Sequence, residues 1–478
     1  MNPSSQRIAL MIIDQLSSTE FGKVLPGFGA IKNLGEVRLQ YLPRTTPCGH
    51  ATISLGQPPS AHRIQGREWF VRGDDGQGWI PCDINSLPIS QFETSVPFNS
   101  DITGALKTGA FASRFRKDYP HSATVIVAAK AMIPFLFGAW DADVSVFPTL
   151  TIPSRRSHLQ RAAAHIGRDP YEFVVRFFAG TAAGRGVLNN SNVIDAVARE
   201  MSNVASIIPG SRVEAFSDSP SVLDLHWVLP PSWDTHETRV AKKWRDDVVL
   251  AHGPRIDEFY TAIGRYLLNR LEGRPQLFVQ SWFSTDFAAH RFGPSSPQYS
   301  EALTRALRQA SQLANEFAVI GTSDHGGRET PHWLQCDLDR RFVLNRNENR
   351  VPLPPADHVV HCGDHITGWG GDGSAVEFFR CSWTQDRVPV PVDQDILLRS
   401  FHDMQRPQWI LLPEIEERCG KGVKESTGGD HGAYSENGRL GFADDAVPVF
   451  CANSLQNLPP LPQTLDRIAN WVFDFASS

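Results

Sequence analysis

The chain has 478 residues, 41% hydrophobic and 21% charged, with a formal net charge of -6. That balance excludes a general nucleic-acid binder, which needs basic stripes, and the length suits one large α/β domain with insertions or two to three smaller ones. Seven scattered cysteines with no CxxC pair, and no apolar leader, point to reduced thiols in a cytoplasmic protein without a membrane span.

In chain order, "RIALMIID" (7–14) is a buried strand that stops at Asp14. "TTPCGHATISLG" (45–56) follows as a short helix. Thr46 is its expected N-cap, Pro47 its first helical residue, and Gly56 with Pro58-Pro59 its end. Residues 61–125 read as loop-rich around "RGDDGQGWIP". Residues 140–250 hold expected helices at "SHLQRAAAHIG", "PYEFVVRFFAG" and "SNVIDAVAREMSNVAS". "PQLFVQSWFSTD" (275–286) is a second strand. The helix "SEALTRALRQASQLANEFAVI", with Leu303, Leu307 and Leu313 on one side, feeds a third, "EFAVIGTSDHGG" (316–327). Residues 330–425 form another insertion, with a helix near "DQDILLRSFHDM", before the strand "AVPVFCANS" (446–454). Continuous apolar runs alternating with helices predict an α/β/α sandwich with a mostly parallel central sheet. The three insertions are expected to cap one core spanning 1–478.

In such sheets ligands gather at the carboxyl ends of strands. There the sequence places Asp14, the D-x-x-x-H pair Asp286 and His290, the adjacent Asp324 and His325, and His431 in the turn "GGDHGAY". Three carboxylates and three imidazoles suit zinc, or manganese as the lesser fit. Two such ions can hold both the attacking and the leaving oxygen of a phosphoryl transfer. A threonine hydroxyl bound to a metal becomes a nucleophile without a histidine base, and a helix opening at Thr46 points its amides at an anion.

With these motifs in order, the sequence resembles the alkaline phosphatase superfamily, in its type I phosphodiesterase/nucleotide pyrophosphatase branch. The likeness is closest in "TPCGHATISLGQPPSAHRIQGREWF". The resemblance implies Thr46 as nucleophile, one zinc on Asp14, Asp324 and His325, a second on Asp286, His290 and His431, and Thr46 between them. It departs at Arg67, where that branch carries asparagine to hold a phosphoryl oxygen; arginine could do so with a full charge or turn to solvent. Of the K-x-R pair that monoesterases carry after a strand, "VIVAAKAMIP" keeps Lys130, which is equally readable as a lysine snorkelling from a strand end.

Two stretches compete for attention. "ADHVVHCGDHITGWGGDG" (356–373) concentrates His358, His361, Cys362, Asp364 and His365, and reads as a polar loop or a strand beside the pocket rather than a third metal site. Cys48 lies inside the nucleophile turn but reads as a packed neighbour, with Thr45 as the fallback nucleophile if the register slips by one. The expected activity is a two-metal phosphoric-ester hydrolase acting on a small-molecule phosphate ester or nucleotide, diesters first. Alternatives are a phosphomonoesterase using Arg67 and Lys130, a phosphonate hydrolase, or a non-catalytic metal- and nucleotide-binding protein.

Overall fold

The computed structural model describes residues 7–73, 78–84, 100–130, 132–139, 141–150, 174–180, 212–219, 222–228, 257–258, 260–262, 264–265, 267–269, 271, 275–330, 332–344, 349–362, 365–370, 375–381, 387–413, 417–421, 429–430, 433–436, 439–442, 446–452 and 458–477. They fall into two compact units, one made of Met1–Met11 and Ala112–Ser284, the other of Ile12–Phe111 and Thr285–Ser478. The structure is mixed α/β, as the sequence predicts.

In the first unit, Arg7–Met11 of strand β1 (Arg7–Ile13) neighbour β2 (Gln276–Trp282), followed by Ala123–Ala128 and Val144–Leu150. β2 runs parallel to Ala123–Ala128, with Val279 opposite Ile126, and that strand runs parallel to Val144–Leu150. Every residue of β2 and of Ala123–Ala128 is buried, which explains apolar runs without alternation. Beyond them Val174–Gly180, Val222–Val228 and Arg212–Ser219 continue antiparallel. Of the helix expected at "PYEFVVRFFAG", the described part, Val174–Gly180, is therefore a strand. Its consecutive valines and phenylalanines favour the extended backbone, and a short apolar run does not itself distinguish the two. The other two helices expected between 140 and 250 lie outside the described residues.

In the second unit, β3 (Ala318–Thr322) pairs antiparallel with Ala446–Ala452, which pairs antiparallel with Ile31–Arg38. The terminal apolar run is thus a core strand but not a parallel one: a continuous apolar run reports burial of both faces, not direction. Helix α1 spans Thr46–Leu55, α2 Ser284–Phe292 and α3 Pro297–Leu313. α3 is capped by the Ser296 hydroxyl, which accepts the Tyr299 N–H at 3.2 Å, and it buries Leu303, Leu307 and Leu313 as its period predicts. The 330–425 insertion is largely β-structure. Leu334, Val343, Ile366, Phe379 and Trp409 from its two small sheets share one apolar core. Among the described residues no helix is long and apolar enough to cross a membrane.

Candidate active site

Two strand ends are laced together before any side-chain chemistry begins. β1 stops at Ile13, and β3 at Thr322. The Leu16 N–H donates to the Ser323 hydroxyl at 2.9 Å, and that oxygen lies 2.7 Å from the carbonyls of both Ile13 and His325. Between them Gln15 turns the chain with φ +58°, a left-handed conformation rare outside glycine. In that conformation its N–H donates to Asp324 Oδ1 at 3.3 Å, and its carbonyl accepts the Tyr299 hydroxyl at 2.8 Å.

This lacing brings Asp14, Asp324 and His325 into one buried group, with a ligand atom from each lying within 4.8 Å of the others. His325 Nε2 is 3.4 Å from Asp14 Oδ1 and 3.2 Å from Asp324 Oδ2. The Thr46 hydroxyl completes the cluster, 3.3 Å from His325 Nε2 and 3.4 Å from Asp14 Oδ1. The His325 tautomer decides what the group can hold. Nδ1 lies 3.1 Å from the Gly326 carbonyl, which can only accept, so the proton sits on Nδ1. Nε2 then faces two carboxylate oxygens that can only accept, so a cation, either a proton on that nitrogen or a metal ion, must mediate the contact. Acceptors converging in a buried place repel one another unless a cation sits among them. A backbone carbonyl behind the ring is also the usual support of a metal-binding histidine. The residues present fit a divalent metal, and the O, O, N donor set suits zinc or manganese.

Helix α1 delivers Thr46, with a one-residue correction to its start. Thr45 is the N-cap, in extended conformation, and its carbonyl accepts the first helical bond, from Gly49 N–H at 2.9 Å. Thr46 is the first helical residue, so its hydroxyl is not occupied in capping and faces the carboxylates instead. The helix ends at left-handed Gly56, as expected. Gly49 has a specific task here: a Cβ would overlap the Asp324 carbonyl oxygen and lie 2.7 Å from the Asp324 Cβ. Only glycine lets α1 approach this closely. One residue on, His50 Nδ1 donates to the Thr46 carbonyl at 2.8 Å and lies 3.1 Å from Asp324 Oδ2. His50 therefore ties the Thr46 backbone to the neighbourhood of the Asp324 carboxylate. Cys48 is fully buried, and burial first, then the nearby Asp324 carboxylate, pushes its thiol well above the usual range. It is an inert neighbour.

Asp286 and His290 lie one turn apart on α2, with His290 Nε2 3.2 Å from Asp286 Oδ1. Asp286 sits in the first turn of that helix rather than at a strand end, because β2 already stops at Trp282. The start of α2 is held by groups that sequence reading missed. The buried Asp257 carboxylate accepts the N–H groups of Phe283 and Ser284, the latter at 2.9 Å. Burial, opposed by these bonds, raises its pKa to about 7. Thr285 donates its hydroxyl to the Asp14 carbonyl at 2.6 Å. His431 lies outside the described residues. Arg67 is exposed, and Lys130 is half-buried just past the strand Ala123–Ala128. The stretch 356–373 forms two paired strands, His358–Cys362 and His365–Trp369.

Residues 169–352 match the sequence family described as type I phosphodiesterase / nucleotide pyrophosphatase. No curated protein matches the chain by sequence. Among solved structures, alkaline phosphatase PafA superposes with a TM-score of 0.54 at 14% identity, covering 100% of this chain and 96% of its own. Phosphonoacetate hydrolase from Sinorhizobium meliloti 1021, solved with phosphonoacetate, gives a TM-score of 0.50 at 14% identity over 99% of this chain and 96% of that one. By fold the chain is alkaline-phosphatase-like, and its residues 169–352 carry the type I phosphodiesterase / nucleotide pyrophosphatase match.

Proposed function

We propose that the protein hydrolyses phosphoric esters, small-molecule or nucleotide diesters first, through transient phosphorylation of Thr46. The supporting observation is the buried Thr46 hydroxyl, 3.3 Å from His325 Nε2 and 3.4 Å from Asp14 Oδ1, at the first residue of a helix. Divalent cations, best zinc, held by Asp14, Asp324 and His325 and by Asp286, His290 and His431, would supply charge neutralisation and make the threonine hydroxyl acidic.

The chain's own residues do the rest. Asp14 Oδ1 accepts the Thr46 hydroxyl's hydrogen bond and orients its lone pairs. His50 fixes the Thr46 carbonyl, and the positive end of α1 favours the phosphoryl oxygens. Thr46 Oγ passes its proton to Asp14 Oδ1 and bonds to phosphorus as the ester P–O bond opposite it breaks, and the leaving group departs with the electron pair. Water then attacks the phosphothreonine, the P–Oγ bond breaks and Thr46 regains a proton. An exposed Arg67 supports a singly charged diester over a dianionic monoester.

Turnover of bis-p-nitrophenyl phosphate and of p-nitrophenyl phosphate, with zinc, manganese or chelator, tests the reading. The diester is expected to react faster, and Thr46→Ala to lower turnover by at least about 10³-fold. Full turnover in Thr46→Ala would remove the nucleophile. No turnover of either ester with any divalent metal, alongside unchanged nucleotide binding in Thr46→Ala, would make this a binding protein.

A further inference from the structure

Asp14 and Asp286 follow neighbouring strands, β1 and β2, and a buried side chain beside Asp286 reaches directly to the Asp14 backbone. Thr285 is fully buried in the first turn of α2, immediately before Asp286. A threonine at such a position ordinarily serves its own helix, as a cap or by bonding a carbonyl one turn back. Here the hydroxyl donates instead to the carbonyl of Asp14, at 2.6 Å, far away in sequence. The same Asp14 turns its carboxylate toward Thr46 and His325. On the other side of Thr285, the amides of Phe283 and Ser284 are taken up by Asp257, so the helix start is held as well.

We propose that Thr285 is a positioning residue that sets the Asp286–His290 pair at a fixed spacing from the Asp14–Asp324–His325 cluster. The inference rests on reading Asp286 and His290 as metal ligands. A ligand displaced by a fraction of an ångström coordinates poorly, and groups behind ligands typically tune affinity by about 10- to 100-fold. The cluster built on Asp14 has its own supports, from Ser323, Gln15 and His50, and does not need Thr285 to assemble.

Stepwise zinc titration of the metal-stripped full chain, followed by a competing chromophoric chelator, tests this alongside thermal melting. The native chain is expected to take up two equivalents. Thr285→Val, which keeps the shape and removes the hydroxyl, should leave the tighter equivalent unchanged and weaken the second by about tenfold or more. Thr285→Ser should restore it to within about threefold, which a merely structural role for the methyl group would not produce. If the valine variant fails to fold, Thr285→Ala is read in its place. Two native-like equivalents in the valine or alanine variant would overturn the inference while Asp286→Ala, losing the second equivalent, leaves the ligand reading standing. Two native-like equivalents in Asp286→Ala would overturn both.

Discussion

Two regions of this molecule are rich in metal-binding residue types, and among the described residues only one assembles them. In the stretch 356–373 the histidines, cysteine and aspartate are close in sequence. Of these, His358, His361, Cys362 and His365 lie on paired strands, with His358 opposite Trp369, Cys362 opposite His365, and His361 opposite Ile366. Side chains on a strand alternate between faces, so His361 lies on the opposite face from His358. His358 is engaged otherwise, stacked on Phe70 with ring centroids 4.2 Å apart. In the candidate site Asp14, Thr46, Asp286, Asp324 and His325 come from segments distant in sequence, but each follows the end of a strand or lies in the first turn of a helix. There the backbone changes direction and side chains can converge. Proximity along the chain is thus a poor guide to proximity in space, and position at the end of an element is a better one.

The sharpest way to break this comparison is to remove one group from each region. Asp324→Ala should abolish binding of the tighter metal equivalent, because it removes a ligand and the acceptor of the Gln15 backbone N–H. His361→Ala should leave metal content unchanged by elemental analysis of the two purified variants. Gly49→Ala comes next. Its methyl group has no space against Asp324, so α1 must move and carry Thr46 with it. Diester turnover should fall by about 100-fold, since misplacement of about 1 Å has that cost. Kinetics at saturating metal would check it. His50→Phe should weaken the tighter metal equivalent by about 10- to 100-fold, read by chelator competition.

The smallest effect concerns a histidine in neither region. His62 is buried, with Nδ1 accepting the Ile64 N–H and Nε2 3.0 Å from the Thr52 hydroxyl. Burial lowers its pKa to about 3 from 6.5. Because the folded-state value is depressed, the unfolded chain binds this proton first. Stability is therefore full above about pH 6.5 and falls as the pH drops toward 3, by about 2 kcal/mol at pH 5. Denaturant midpoints at pH 7.5 and pH 5 should show that loss in the native chain and not in His62→Gln.

Much of the site was legible because its chemistry sits where apolar runs end. Asp14, Asp324 and His325 each follow a buried strand, and Thr46 stands before a proline that suits a helix start. The cap came out one residue late, because Thr45 and Thr46 are equally good candidates and only the hydrogen bond from Gly49 N–H to the Thr45 carbonyl decides between them. Strand direction at Ala446–Ala452 was not readable, since burial on both faces writes the same composition in either orientation. The supporting groups were not readable either. Ser323, Thr285, Asp257 and His50 act through hydrogen bonds to groups that only the fold brings near, and nothing in their local spacing names a partner. Gly49 left a trace: a glycine inside an expected helix weakens it and calls for a packing reason.

The burial of Cys48 bears on more than the identity of the nucleophile. Cys82, Cys336 and Cys451 are also buried. Alkylating reagents and peroxide attack thiolates that solvent can reach. The packing around these four sulfurs shields them, so iodoacetamide treatment of the folded chain should leave these four unlabelled, whether the surroundings are reducing or oxidising.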